Sequence, residues 1–285
     1  MVRFIPKCYK LCLHMFNEGG AVSTESLSAT TNKRAVRQRA LSRLVTERGS
    51  LSAQELANEL NVSIMTVHRD LDDLERQGVV RKFRGGVSAQ PSVVFESNVD
   101  FRLDANPVEK RSLAQAASRF VEPGMTIVLD NSTTVLQMVP FLAEVTPIYV
   151  ATNFLKAINQ LSTVPDIRLV TFGGDYDPTS DTFTGVLTEQ AIESIRVDAG
   201  FFSASAVSGG SAYQRQSRIV AFKQAMMKAA NSKYLLLDHT KLDKVAFHKL
   251  APLNEFDMVF ITEGASNESL GELSRAGVKF EVVAP

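Results

Sequence analysis

Residues 62–86 read VSIMTVHRDLDDLERQGVVRKFRGG. Ile64, Val67, Leu71 and Leu74 recur at the spacing of one helical face, so the stretch opens as an amphipathic helix. Ser63 has the short hydroxyl of an N-cap, and Gly78 ends the pattern. The other face carries Met65, Thr66, His68 and Arg69. Residues 79–87, VVRKFRGGV, then read as a hairpin with Gly85-Gly86 at its tip and Arg81, Lys82 and Arg84 along it.

Working towards the N-terminus, Val36, Ala40, Leu41, Leu44 and Val45 mark one face of a first helix that Gly49 closes. A second helix starts near Ser52 and buries Leu56, Ala57 and Leu60, and Asn61-Val62 makes a short turn. Helix, turn, helix and hairpin in this order match a helix-turn-helix whose last helix enters the major groove. Arg69 could bond guanine bidentately, Thr66 could meet a thymine methyl or a phosphate, and the hairpin charges suit a phosphate backbone. Asp70, Asp72, Asp73 and Glu75 speak against a uniformly basic surface. On spacing alone, a DNA reader and an ordinary charged three-helix unit both stay open.

Charge separates the chain into two parts. Its 285 residues have a formal net charge of zero, yet residues 31–90 hold eleven Lys and Arg against seven Asp and Glu. Residues 1–30 are slightly basic, so residues 91–285 are acidic by five. A small basic module on a larger acidic one suits two different partners. With 45% hydrophobic and 22% charged residues, the composition is that of a folded chain of about two domains. Cys8 and Cys12 allow one local bridge at most, which points to a reducing, cytoplasmic setting, and no spacing suggests a metal site. No apolar run is long enough for a membrane span, and residues 1–33 read as a poorly ordered extension.

Residues 34–88 form the expected winged unit, 89–107 a connection without sustained periodicity, and 108–285 a second domain. Asn106, Pro107 and Glu109 form a helix-start signature. Continuous apolar strands are expected at 125–129, 148–151, 167–172, 199–203, 234–237 and 258–262. Helices are expected near 133–143, 154–163, 186–196, 217–231 and 267–275. This alternation predicts a parallel sheet buried on both faces, with ligands at the carboxyl ends of its strands. Those ends are polar: Asp130 to Thr134, Thr152-Asn153, Gly173-Gly174, and Asp238 to Lys241. Ser132, Thr133 and Thr134 ahead of a helix suit an anion, although such residues are also ordinary caps. His239 reads as a polar cap residue. No nucleophile–base pair, phosphate-binding loop or cofactor motif stands out, so no catalytic residue and no cofactor is expected.

The segment LSAQELANELNVSIMTVHRDLDDLERQGVVRKFRGG resembles the winged helix of the DeoR family of bacterial transcriptional repressors. The likeness rests on Glu55-Leu56-Ala57, Val62-Ser63, Thr66-Val67, Arg69-Asp70-Leu71, Leu74-Glu75, Gly78 and Gly85-Gly86. His68 departs from it, since the family usually has Arg there. The second domain also resembles that family, through Glu109-Lys110, Asp130 with Thr133-Thr134, Thr152-Asn153, Gly173-Gly174, Gly185, Lys223 with Met226-Met227, and Asp238 with Lys241. The resemblance covers about residues 36–285. It departs at Ser132, where Gly is usual, at Ile219-Val220-Ala221, where acidic residues are frequent, and at residues 206–210.

The resemblance implies an α/β chain: a small N-terminal winged helix-turn-helix domain, then a larger α/β parallel-sheet sensor domain, Rossmann-like and similar to sugar-phosphate isomerases. It implies a repressor of a sugar operon whose partners are operator DNA and a phosphorylated sugar, acting as a homo-oligomer. Ser63, Met65, Thr66, His68, Arg69, Arg81, Lys82, Arg84, Gly85 and Gly86 would face DNA. Thr133, Thr134 and nearby amides would hold phosphate, with Ser132 and Gly173-Gly174 in the same cradle. Lys223 or Lys241 would add charge, Asp130 and Asn153 would bond sugar hydroxyls, and Thr152 and Asp238 would stand beside them. Two other readings are an isomerase with an appended helical domain, and a module whose three helices bind a protein.

Overall fold

A computed structural model describes residues 33–34, 36–38, 40–42, 44–45, 48–76, 78–89 and 98–285. Residues 1–32, with Cys8 and Cys12, lie outside the described residues. The chain divides into two compact units, residues 1–90 and 91–285.

In the first unit the described residues between 33 and 48 are helical (α1). Then come β1 (Ser50–Leu51), α2 (Ala53–Glu59), α3 (Ile64–Arg76), β2 (Val80–Phe83) and β3 (Gly86–Ala89). The strands form an antiparallel sheet in the order β1-β3-β2. Ser52 and Glu55 satisfy each other's backbone amides at the start of α2, a capping box. The turn between α2 and α3 is a hydrogen-bonded motif. Val62 N–H donates to the Ala57 carbonyl at 3.1 Å and Asn61, left-handed at φ 50°, donates to Asn58 at 3.3 Å. Gly78 ends α3 in the same way, at φ 70°, with Val79 N–H on the Leu74 carbonyl at 2.8 Å.

Leu41, Val45, Leu56, Ala57, Val67, Leu71, Leu74, Val80 and Val87 form the buried interior of this unit. Two residues expected in it are outside: Val36 is 53% exposed and Ile64 39%. Ile64 is the first residue of α3, where the helix has not yet reached its neighbours. A charged group holds α1 to α3 instead. Asp70 is 1% exposed and accepts from Arg37 Nε at 2.5 Å, Arg37 Nη2 at 3.2 Å and Gln38 Nε2 at 3.3 Å. Asp73 beside it takes Arg34, Arg76 and Gln38.

The described part of the second unit begins with α4 (Val99–Asp104), a helix inside the stretch read as a connection without sustained periodicity. It continues through α5 (Pro107–Ser118), β4 (Thr126–Leu129), α6 (Val139–Leu142), β5 (Ile148–Thr152), α7 (Leu155–Leu161), β6 (Ile167–Thr171), β7 (Asp175–Asp177), β8 (Thr182–Thr184) and α8 (Val186–Glu193). Then follow β9 (Val197–Phe202), β10 (Ala206–Ser208), β11 (Ser211–Gln214), α9 (Ser217–Ala229), β12 (Ala230–Leu237), β13 (His248–Pro252), β14 (Met258–Thr262), α10 (Asn267–Arg275) and β15 (Phe280–Val283). The helix expected at 133–143 is a 3₁₀ turn, Val135–Met138, running into the one-turn α6.

Seven strands form one parallel sheet in the order β15-β14-β12-β9-β4-β5-β6. Both faces are covered, which is why its strands read as unbroken apolar runs. Val128, Phe202, Leu235, Leu237, Val259 and Ile261 pack with α9 on one side. Ile127, Leu129, Phe201, Leu236 and Phe260 pack with Leu113, Ala114 and Ala117 of α5 on the other. The chain order turns back between β4 and β9, the place where open α/β sheets leave a crevice at their carboxyl ends. Two smaller antiparallel sheets, β10-β11-β13 and β7-β8, complete the unit.

Replacing Asp70 with Ala would leave the Arg37 guanidinium without its buried partner and cost the first unit about 3 kcal/mol. Amide hydrogen exchange would read this as faster exchange in α1 and α3, with β4, β9 and β12 unchanged. Unaltered exchange in α1 and α3 would show that the pair adds nothing net.

Candidate functional site

On the outer face of α3, Met65, His68 and Arg69 are exposed. Ser63 accepts from Thr66 N–H at 3.2 Å, and the two hydroxyls lie 2.8 Å apart, so both are partly committed to the helix start. In the wing, Arg81 and Arg84 are exposed, and the tip is Arg84-Gly85, with Gly86 already paired to Phe83 in the ladder. Lys82 departs from expectation: its ammonium is tied to Asp72 and Glu75 of α3. Bonding to Asp72 first, then to Glu75, raises its pKa, and it braces the wing against the helix. Phe83, which the sequence reading passed over, is 51% exposed on the wing.

The acidic half of α3 is thereby neutralised within the unit. Asp70 and Asp73 face Arg34, Arg37 and Arg76, and Asp72 and Glu75 face Lys82. Arg69, Arg81 and Arg84 have no ion-pair partner among the described residues, so the positive field falls on the helix start and the wing. That distribution suits a phosphate backbone.

In the second unit a cavity of about 240 Å³ lies where β4, β9 and β12, three adjacent strands, end. Its wall comes from the α4–α5 corner, from Asn131 to Thr134 after β4, Ser203 to Ser205 after β9, Gln214 to Gln216 and the inner face of α9, and the turn after β12. Asp130 lies under it, 1% exposed. One carboxylate oxygen accepts from Ser132 N–H at 2.8 Å. The other accepts from Ser203 N–H at 2.9 Å and from Lys223 Nζ at 2.6 Å. Lys223 also donates to the Ser203 carbonyl at 2.7 Å. Asp130 and Lys223 thus tie the ends of β4 and β9 to α9, and both Asp130 oxygens accept from protein donors.

Ser132 fits its place without the glycine freedom usual there. Its φ is not positive, and its hydroxyl accepts from Val135 N–H at 2.9 Å. Thr133 donates to the Arg102 carbonyl at 3.1 Å. The amides of Thr133 and Thr134 have no acceptor among the described residues. Asp238 caps the turn after β12, accepting from Thr240 N–H at 3.1 Å and from Asn106 Nδ2 at 3.2 Å. Asn106 is left-handed, at φ 50°, and its side chain makes no cap bond on α5. The helix starts where the signature put it, with Asn106 as N-cap and Pro107 first, but the Asn106 amide links to Asp238 and leaves α5 uncapped by its side chain.

Thr152, Asn153, Gly173 and Gly174 are not among the residues that line the cavity. Thr152 ends β5, Asn153 follows it, and Gly173 and Gly174 follow β6, on the far side of β4 from β9 and β12. Asn153 Nδ2 donates to the Phe183 carbonyl at 2.8 Å, and its Oδ1 is buried without a partner among the described residues. Thr152 Oγ1 accepts from Phe154 N–H at 3.2 Å. The Gly173 carbonyl accepts from Thr188 at 2.7 Å, and a Cβ on Gly174 would stand 2.5 Å from the Thr184 carbonyl oxygen. These residues hold β7, β8 and α8 in place.

The cavity also contains cations that were given no role at the effector site: Arg102, Arg215 and Lys244, and Lys110, which was quoted only for the resemblance. Lys110 is 4% exposed, donates to the Arg102 carbonyl, and is pulled down to about 8, by burial first and then by Lys241. Burial lowers Arg102 to about 10 against the pull of Asp130 and Asp177, and its Nε is buried with no partner among the described residues. Lys241 and Arg215 are lowered by burial as well. Lys110 could have been found, because it shares the face of Leu113, Ala114 and Ala117, where a lysine is out of place. Arg102 lies in a stretch without periodicity and gave no signal. Among the described residues no group of His, Cys, Asp or Glu is placed to hold a metal ion, and no helix is long and apolar enough to cross a membrane.

Comparisons with known proteins agree with this layout. A DeoR-like helix-turn-helix domain matches residues 37–93, and a DeoR C terminal sensor domain matches residues 105–263. The chain is 30% identical over 243 residues to the uncharacterized HTH-type transcriptional regulator YgbI of Escherichia coli K12, covering 85% of this chain and 94% of the relative. It is 28% identical to a putative aga operon transcriptional repressor of Escherichia coli O157:H7, over 83% and 89% of the two chains. It is 30% identical to the lactose phosphotransferase system repressor of Staphylococcus epidermidis RP62A, over 77% and 88%. Among solved structures, ribose 5-phosphate isomerase A from Methanocaldococcus jannaschii is similar at a TM-score of 0.36 and 20% identity, over 48% of this chain and 55% of that one. The chain thus spans about half the length of that structure. With both domains matched in order, this chain belongs to the DeoR family of transcriptional regulators.

Proposed function

We propose that the protein represses a sugar-metabolism operon, binding operator DNA through α3 and the wing, and that a phosphorylated sugar in the cavity after β4, β9 and β12 controls it. The cavity carries this reading. It places the open amides of Thr133 and Thr134 among buried cations, at the point where the sheet order reverses. Relatives named as repressors of the aga operon and of a lactose phosphotransferase system support a sugar-derived effector. Thr133, Thr134, Lys110, Arg102 and Lys241 would hold the anion, and Ser132 would shape the loop. Two operator half-sites call for a symmetric homo-oligomer, and access to the chromosome for a cytoplasmic protein.

The isomerase reading has less support. Isomerisation needs a carboxylate or similar base over a substrate C–H. Asp130 is held by Lys223 and two amides, and Asp238 by Thr240 and Asn106. Control of DNA binding requires the effector to favour one of two arrangements of the chain. α4 is suited to that, because it carries Arg102 and directly follows the connection to the first unit in sequence.

A gel shift on DNA upstream of the gene's own operon tests the reading, and absence of any sequence-specific complex at moderate salt would sink it. Arg69→Ala should weaken operator binding by about 1–3 kcal/mol and relax specificity. Equal loss on random DNA would make Arg69 a phosphate contact. Arg84→Gln should lower the slope of log K against log salt by about 1, whereas Lys82→Gln should leave it nearly unchanged, since Lys82 already has acidic partners.

Effector affinity should also depend on pH. Lys110 is charged below about 8 and neutral above it, so an anion binds best below that value and raises the lysine's pKa as it binds. Titration calorimetry from pH 7 to 9 should show affinity falling with pH. Lys110→Met should flatten the profile. An identical profile in the variant would remove Lys110 from the anion site.

A further inference from the structure

Phe83 ends β2 at the tip of the wing and is 51% exposed. A lone apolar residue at a surface is ordinary. The setting of this one is not. Side chains along a strand alternate between its two faces. Val80 is buried and Lys82 reaches Asp72 and Glu75, so both look towards α3. Arg81 and Phe83 therefore share the opposite face. β2 is also the edge of its sheet, and Lys82 N–H on that edge donates to Glu75 Oε1 at 2.9 Å. The amide and the ammonium of one residue thus clamp the wing to α3, with Arg81 and Phe83 turned outward.

The ring has a fixed seat. Phe83 pairs with Gly86 across the hairpin. A Cβ at residue 86 would stand 3.1 Å from Phe83 Cζ and 2.9 Å from the Leu51 carbonyl oxygen, so the ring lies close over a glycine that has no side chain to push it away. Arg81 and Arg84, both exposed, flank it in sequence. A polyanion would draw the two arginines, but a phenyl ring cannot donate to a phosphate. On duplex DNA the thymine methyls lie in the major groove, where α3 goes. The apolar surface left for the ring is the sugar wall of a minor groove, or a base face where a step opens.

We propose that Phe83 is a minor-groove contact. The wing tip enters the minor groove next to the major groove read by α3, with Arg81 and Arg84 on phosphates and the ring against sugars or bases. The guanine 2-amino group stands in that groove, so A·T pairs are favoured beneath the wing. The inference rests on the operator-binding reading and adds a preference where α3 does not reach.

The chain has no tryptophan, so Phe83→Trp puts a single indole at this position. In the full chain, acrylamide quenching of that indole should fall when operator DNA saturates the protein. Unchanged quenching in the saturated complex overturns the contact. Quenching that falls with protein concentration in the absence of DNA means that a second chain covers the ring, and overturns it as well. Phe83→Ala should bind operator about tenfold more weakly with the slope of log K against log salt unchanged, because the ring carries no charge. Weaker binding with a shallower slope would show that the ring only keeps the wing in shape. G·C in place of A·T beneath the wing should weaken the unaltered chain, and inosine·cytosine should restore it, while Phe83→Ala responds to neither. An equal response in both chains overturns the proposal and leaves operator binding standing. If the unaltered chain forms no sequence-specific complex, both readings fall.

Discussion

The buried pair between Asp130 and Lys223 is the constraint on which the cavity depends. Asp130 ends β4, Ser203 follows β9 and Lys223 stands on α9, and one carboxylate and one ammonium join all three. Breaking such a pair from one side leaves a buried charge uncompensated, at about 3–5 kcal/mol, whereas two apolar residues of the same volume could fill the space at little cost. The pair is therefore better explained by what it positions than by stability. It sets the loop from Asn131 to Thr134 against the loop from Ser203 to Ser205, and the cavity lies between them.

The two units treat charge in opposite ways. In the winged unit every carboxylate in the second half of α3 faces a cation of the same unit, so Arg69, Arg81 and Arg84 are left to act outward. In the sensor unit the cations outnumber the carboxylates around one small cavity, and burial depresses Arg102, Lys110, Arg215 and Lys241. The net charge of zero hides both arrangements.

Much of the architecture was legible because it is written in periodicity. Unbroken apolar runs gave six strands of the central sheet, and the 62–86 stretch gave α3 and the wing, since each side chain there is placed by its own backbone. The site was less legible. Thr152-Asn153 and Gly173-Gly174 have the same polar strand-end chemistry as the residues after β4. Only the order β12-β9-β4-β5-β6 separates them, and a strand's neighbours leave no local mark in the sequence. Lys82 looked like a backbone contact because its partners, Asp72 and Glu75, lie up to ten residues away. Asn106 has the composition of an N-cap and a left-handed backbone that turns its amide to Asp238 instead. The strands β10, β11 and β13 are short and mix Ser, Gln, His and Lys with apolar residues, so they lack the apolar run that marked the others.

A cavity lined by like charges also has a thermodynamic consequence. Burial disfavours the charged forms of Arg102, Lys110, Arg215 and Lys241; neighbouring cations add to this at Lys110 and Lys241, whereas Asp130 and Asp177 oppose it at Arg102. Those terms oppose the closed arrangement of the α4–α5 corner, the β4 loop and the turn after β12. A bound anion would offset these terms for the cations it touches, in a medium of lower dielectric than water. An effector anion at this wall would therefore favour an arrangement with these segments together over one with them apart. Such a difference is what any ligand needs in order to shift an equilibrium, however tightly it binds. The burial of Arg102 on α4 makes that helix part of the same balance.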